Sequence, residues 1–350
     1  MNPPPGTTSG FMFVANSGSG NVSAFAVSTT GGLTAVPGSP FAAGSGAEFM
    51  ALDSVHNFLF VSNQNANSLS AFVVNTGTGA LAAAPGSPFP TGALPHGVAV
   101  DPAGRFVFVG NQNDDSISIF SINPMTGALT AVASSPVTGV DSPFGVTLNP
   151  AGTLLFVNNL NANSVSAFQV NPNTGALTPV PGFSFATGST PIGLIADPNG
   201  KFLYVGDHMS DTITSFSINP GTGALARVGN APTPNLDCGS PCHMNPLRLA
   251  IAPSDKFAYA ANVGDNTLSA FTLSPSGTLT PTAAPVMTGQ HPFGVTFDST
   301  GNFLYVANKV DGTISGFSVN AMAGTLTPLM GSPFPAGGQG PVGLVAIAKQ

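Results

Sequence analysis

The sequence predicts an all-β protein, a seven-bladed β-propeller with four antiparallel strands per blade. Three observations carry this. The stretch Phe-Met-Phe-Val-Ala-Asn at 11–16 recurs in seven copies, ending at Asn16, Asn63, Asn111, Asn159, Asp207, Asn262 and Asn308, at spacings of 47, 48, 48, 48, 55 and 46 residues. A phenylalanine keeps the same step at Phe25, Phe72, Phe120, Phe168, Phe216, Phe271 and Phe317. A turn with glycine followed by leucine does so at Leu33, Leu81, Leu129, Leu177, Leu225, Leu279 and Leu326. A fixed period of this length built from short strands marks blades arranged around an axis.

One repeat shows how each strand arises. Pro95 to Val100 is a short apolar strand, and Asp101-Pro102 stops it because proline cannot donate to the ladder. Ala103-Gly104 turns the chain. Phe106 to Val109 is apolar on both faces, as a strand buried between neighbouring blades must be. Asn111 to Asp115 is a polar turn, and Ser116 to Phe120 alternates, so one face is buried. After the turn at 123–127, residues 128–132 form the outer strand.

The ends of the chain complete this pattern. Phe11 opens on a second-strand motif, and the missing first strand appears at Pro341 to Ile347. One blade is therefore expected to combine both termini, which closes two otherwise open edges. Residues 1–10 read as a tail, 11–350 as one propeller domain, and 230–246 as an irregular insertion.

Composition narrows the function. Only 6% of residues are charged, against roughly 25% in an average soluble domain. The seven Lys and Arg residues are scattered, which argues against nucleic-acid binding and against a polybasic membrane patch. No apolar run approaches the roughly 18 residues of a membrane span. With so few titratable groups, stability is expected to vary little between mild acid and neutrality. The opening Asn2-Pro3-Pro4-Pro5-Gly6 reads as a start from which a leader has been removed. Cys238 and Cys242 lie in the insertion. Two thiols without a second pair support a zinc site weakly, and a small disulfide-closed loop is the better reading. Together these features point to a periplasmic or extracellular monomer.

Candidate functional residues cluster where the first strands enter the channel. Six of these turns carry proline, at Pro95, Pro143, Pro191, Pro246, Pro292 and Pro341, and the seventh has Ala47. The next residue is Glu48, His96, Phe144, Ile192, Leu247, Phe293 or Val342. Glu48 is the chain's one glutamate, and Arg248 stands where most other copies have glycine, with Phe49 the second exception. His96, Arg248 and Glu48 are the candidate catalytic set, because such groups are rarely buried without a reason. His208, Asp207, Phe144, Phe293 and His291 are candidates for ligand binding, the rings by stacking. His243 and Asp237 lie in the same set of loops. No cofactor is expected. A calcium ion held by Glu48, Asn111, Asn159 and Asp207 is an alternative, against which the repeated Asn reads as a turn cap.

The unit at 95–111, Pro-His-Gly-Val-Ala-Val-Asp-Pro-Ala-Gly-Arg-Phe-Val-Phe-Val-Gly-Asn, resembles the seven-bladed lactonase family, which includes 6-phosphogluconolactonases and cycloisomerases. Leu-Tyr-Val-Ala-Asn at 304–308 is also similar to surface-layer propellers built on Tyr-Val-x-Asn. The resemblance runs from Phe11 to Ile347. It implies a histidine in the third blade's rim turn, which His96 matches. Where the family carries arginine after a later repeated Asn, this chain has His208; where it favours Pro-Arg-His, this chain has Pro246-Leu247-Arg248; where it often has glutamate, this chain has Val263. A phosphate would want more than one nearby cation, and Arg248 stands nearly alone.

The resemblance implies lactone hydrolysis. That reaction needs a base to activate water, His96 or Glu48, and a cation such as Arg248 for the developing oxyanion. The competing expectation is a non-catalytic extracellular propeller that binds a protein, a glycan or a cell surface.

Overall fold

A computed structural model describes residues 7–234 and 245–350. It is a ring of seven antiparallel sheets. The inner strands are Pro341–Ala348 for blade 1, then Ala47–Asp53, Pro95–Val100, Pro143–Leu148, Pro191–Ala196, Pro246–Ile251 and Pro292–Phe297 for blades 2 to 7. Each second strand ends on the repeated Asn or on Asp207. Cys238, Cys242, His243 and Asp237 lie outside the described residues.

Blade 1 closes the ring as the sequence predicts. Its inner strand Pro341–Ala348 pairs antiparallel with Thr8–Asn16, placing Leu344 opposite Val14 and Ile347 opposite Phe11. The N-terminal strand starts at Thr8, three residues before Phe11.

The expected four strands become five in blades 1, 2, 3, 6 and 7, because the outer strand is split in two. In blade 2, for example, Leu81–Ala83 and Phe89–Pro90 both pair with Ser68–Val74. In blades 1, 2, 3 and 7 a Ser-Pro step between the halves leaves the ladder, and the serine hydroxyl takes the vacated backbone donor. Ser39, Ser87, Ser135 and Ser332 accept in this way from Ala24, Ala71, Ile119 and Gly316. Blade 6 is split without that serine, with Ala284-Pro285 between Leu279–Pro281 and Val286–Met287, whereas blades 4 and 5 keep continuous outer strands at Leu177–Ala186 and Leu225–Pro232. Residues 230–232 are therefore strand, although the sequence reads them as the start of the insertion.

The core lies between blades. The second strands are buried on both faces, and the seven repeated phenylalanines, Phe25 to Phe317, are all buried. The repeated Asn knits each blade's second strand to its third. Asn63 Nδ2 donates to Ser68 and Ser70, Asn111 to Ser116 and Ser118, Asn159 to Ser164 and Ser166, and Asn308 to Thr313 and Ser315. Asn63 Oδ1 also accepts the Gly44 N–H. From the sequence this Asn is expected to satisfy backbone groups of its own turn; instead it binds two hydroxyls on the next strand, and the backbone N–H groups it accepts, Gly44 for Asn63 and Asp141 for Asn159, come from the loop before an inner strand. Asn63→Ala would leave the Gly44 N–H and the Ser68 and Ser70 hydroxyl acceptors without their partner. The expected loss is about 2–3 kcal/mol, read from denaturant unfolding.

Candidate functional site

The seven residues that follow Ala47 or the rim prolines form a ring of buried side chains at one end of the channel. Phe144, Ile192, Leu247, Phe293 and Val342 pack in one apolar cluster around Phe49. Glu48 and His96, at 4% and 2% exposure, complete the ring from adjacent blades. The backbone just before the inner strand is left-handed at Gly46, Leu94, Ser142, Thr190, Asn245, His291 and Gly340. That shared conformation throws each inner strand into the channel at the same angle.

The next position is glycine at 97, 145, 193, 294 and 343. At 97, 193, 294 and 343 a side chain would strike the backbone of the neighbouring inner strand. The two exceptions, Phe49 and Arg248, meet each other. The Arg248 guanidinium carbon sits 3.9 Å from the Phe49 ring centroid. Phe49 also makes edge contacts with His96, Phe144 and Phe293 at centroid distances of 5.8, 5.3 and 6.1 Å. Phe49 thus plugs the channel. Beside it Arg248 lines a cavity of about 100 Å³ with Met50, Leu249, Val295 and Leu344. Burial pushes the Arg248 pKa down to about 10, and the Glu48 charge opposes that shift.

The three candidate catalytic side chains therefore come together. His96 Nδ1 lies 2.7 Å from Glu48 Oε2, an ion-pair distance, although the approach is off the line of a good hydrogen bond. The imidazole stacks on Phe144 at 4.2 Å. Its Nε2 is 3.2 Å from Gln64 Nε2. With the Gln64 amide as donor, Nε2 is the free-electron-pair nitrogen and Nδ1 carries hydrogen toward Glu48.

Above this plug, the residues that follow the repeated Asn or Asp207 form a half-buried second ring: Ser17, Gln64, Gln112, Leu160, His208, Val263 and Lys309. Lys309 Nζ lies 5.3 Å over the Phe293 ring, and the His291 ring lies parallel to Phe293 at 6.5 Å. His291 titrates below the ordinary histidine range because of burial, then Lys309, then His208. Burial also lowers the His208 pKa. The mouth thus has an acid–base pair on the side of blades 2 and 3, and neutral imidazoles with a lysine on the side of blades 5 to 7. Gln64 and Lys309 were missed in the sequence. The available signal was their place after the repeated Asn, the position that singled out His208.

Asp207 is buried in its own blade, where it accepts from Thr212 and Thr214 hydroxyls in the capping position. Asn111 and Asn159 likewise donate to hydroxyls of their own blades. Among the described residues no three His, Cys, Asp or Glu side chains converge on a common point.

Asp207 gives the chain a source of pH response that the composition did not suggest. Burial raises its pKa to about 6, against the lowering effect of the two threonine hydroxyls, the Gly188 N–H and Arg227. The folded state therefore holds this proton more tightly than the unfolded chain. The stability it brings is complete below the ordinary aspartate range and is lost as pH rises to about 6. Unfolding free energy is expected to fall by on the order of 3 kcal/mol between pH 4 and 7. Asp207→Asn restores the donor used in the other six blades and should flatten that slope, as measured by urea titrations at several pH values.

A model of the family described as lactonase, 7-bladed β-propeller, matches residues 7–184 and 146–342. The chain belongs to this lactonase family. Among solved structures, this lactonase-family propeller is similar to a Bacteroides fragilis protein provisionally assigned as a 6-phosphogluconolactonase, at 22% identity and TM-score 0.83 over 99% of this chain and 100% of that one. The periplasmic gluconolactonase PpgL of Pseudomonas aeruginosa has 20% identity and TM-score 0.84, over 97% and 99%. A Lactobacillus plantarum protein has 22% identity and TM-score 0.79, over 97% and 100%. No curated protein matches the chain. At these identities the structural likeness speaks to the fold alone. Among the described residues no helix is long and apolar enough to cross a membrane.

Proposed function

We propose that this lactonase-family propeller hydrolyses a small sugar lactone at the channel mouth, with His96 as general base. The observation that carries the reading is the Glu48–His96 contact of 2.7 Å, on a histidine whose other nitrogen faces Gln64 of the mouth ring. In this mechanism the half-buried Gln64 side chain swings aside and a water takes its place at Nε2. His96 removes a proton from that water as it attacks the lactone carbonyl, and the imidazolium then gives that proton to the ring oxygen as the acyl C–O bond breaks, releasing the open hydroxy acid. Glu48 orients the imidazole and stabilises the imidazolium. Arg248 stacks on Phe49 with the Glu48 charge nearby, and in this reading the carbonyl-polarising role expected of it passes to Lys309. Lys309 faces the mouth and supplies the second cation that the sequence had lacked, so the oxyanion or a substrate phosphate would be held there. Gln64, Gln112, His208 and His291 would bind hydroxyls. A periplasmic location, by analogy with PpgL, agrees with this substrate class.

The burial of His96 and Glu48 under Phe144 favours one second reading, a propeller that binds a glycan or protein partner through its polar mouth without catalysis. Hydrolysis assays separate the two. Gluconolactone, its 6-phosphate and acyl lactones would be tested with and without a chelator. Turnover above the uncatalysed rate supports the enzyme. A flat panel with a cooperatively folded protein supports the binding scaffold.

A further inference from the structure

At the end of the ring opposite the mouth, each inner strand turns onto the second strand. The turn opens with Asp53, Asp101, Asn149, Asp197, Ala252 or Asp298 in blades 2 to 7. One oxygen of the aspartate accepts turn N–H groups, as Asp197 Oδ1 does from Lys201 and Phe202. The other oxygen is satisfied blade by blade. Asp53 Oδ2 lies 2.8 Å from His56 Nδ1, Asp101 Oδ2 accepts from Arg105 Nε at 2.8 Å, and Asp298 Oδ2 accepts from Thr300 Oγ1 at 2.6 Å. Asp197 Oδ2 is buried and has no such partner. Lys201 stands where blade 3 has Arg105, but it is exposed and makes no ion pair to Asp197.

A second departure sits beside it. The fourth residue of this turn is glycine at 104, 152, 200 and 301, and a side chain there faces the preceding blade; at Gly104 it would meet Asp53 and His56. Blade 6 has Asp255 in this place, at φ 55°. At the equivalent Gly104 a Cβ would lie 2.6 Å from Asp53 Oδ2, so the Asp255 side chain is directed at Asp197 of blade 5. Asp255 Oδ2 accepts from Asn199, while Oδ1 is buried without a partner. Burial first, and the Asp197 charge after it, hold the Asp255 carboxyl above its ordinary range.

The third observation is Tyr204. In blades 6 and 7 the corresponding tyrosines donate to the following blade, Tyr259 to Gly324 O and Tyr305 to Gly31 O. Tyr204 is 1% exposed, and its hydroxyl has no partner. It lines, with Asn199, Asp255 and Ser274, a cleft of about 260 Å³ between blades 5 and 6.

We propose that Asp197 Oδ2, Asp255 Oδ1 and the Tyr204 hydroxyl form a site for a hard divalent cation, calcium in the first instance, that ties blade 5 to blade 6. Two buried carboxylate oxygens without donors, with the Tyr204 hydroxyl also unpartnered, ask for positive charge beside the cleft, since buried acceptors without donors are costly. Calcium accepts irregular oxygen sets and can complete its shell with water from the cleft. Lys201 and Lys256 flank the cleft, but both are exposed, so solvent screens their repulsion.

The test adds calcium chloride to the full chain at pH 7.5, against sodium chloride of equal ionic strength. Three protein ligands imply a millimolar site, so about 10 mM calcium should raise Tm by about 2 °C and give a saturable heat in calorimetric titration. Asp255→Gly restores the glycine of blades 3, 4, 5 and 7 and should abolish both signals. Tyr204→Phe should weaken binding several-fold. No response in the wild type, or an undiminished response in Asp255→Gly, overturns the proposal. So does a wild type blind to calcium whose stability changes with pH in a way Asp255→Gly removes, because the two carboxyls then share a proton.

Discussion

His96→Ala is expected to lower kcat for lactone hydrolysis by about 10²–10⁴-fold, the usual contribution of a positioned acid–base group. The protein should stay folded, because the side chain sits in a ring of seven and removes no backbone pairing. KM should change little if Lys309, His208 and His291 hold the substrate, and this split separates a base from a binding residue. Glu48→Gln makes the sharper comparison. It keeps size and burial but removes the charge facing Nδ1, so kcat should fall while the imidazole stays in place. The pH profile should also change, since the imidazolium loses its counter-charge. If His96→Ala and Glu48→Gln both turn over at the wild-type rate, the dyad is a buried structural pair and the base lies elsewhere. A Gln64→Ala variant reports on access. If the amide gates Nε2, its removal should raise or preserve kcat, whereas a residue that orients the imidazole should lower it.

Much of this architecture was legible because a propeller repeats its geometry. A strand motif that returns every 46 to 55 residues fixes blade number and ring closure without any long-range contact being known. The same logic marked Glu48 and His96 as equivalent positions in neighbouring blades, hence close. What it left open was how departures from the repeat meet. Phe49 and Arg248 were visible as the two exceptions to glycine, but their contact depends on the channel's width, which no single repeat encodes. The Ser-Pro split of the outer strand was hidden because a hydroxyl imitates the missing ladder partner. Asp207 stood out as a changed letter, yet its raised pKa comes from burial and not from residue type. Asp197 and Asp255 lie 58 residues apart, and only the ring brings them together.

Deleting residues 341–350 is expected to abolish the cooperative fold. Those residues supply the inner strand of blade 1 and one of the seven side chains in the channel ring. Val342, Leu344 and Ile347 are buried at 1%, 8% and 5% exposure, and three such side chains contribute about 5–9 kcal/mol at usual transfer values. The deletion also strips the pairing partners from Gly10 to Asn16 and exposes that strand's edge. It further removes Gly343, whose backbone lies against the Glu48 carbonyl, so blade 2 loses a neighbour as well. The sum rivals the whole stability of a typical domain, roughly 5–15 kcal/mol. Circular dichroism melts and gel filtration should show a broad, low transition or aggregation. Removing only Lys349 and Gln350, both exposed, should shift Tm by no more than a degree or two. A synthetic peptide of residues 341–350 added to the truncated chain should restore a sharp melt, because the groove it leaves is complementary in register. A truncated chain that melts like the wild type would mean that six blades and an open edge suffice, and that the paired termini contribute closure without stability.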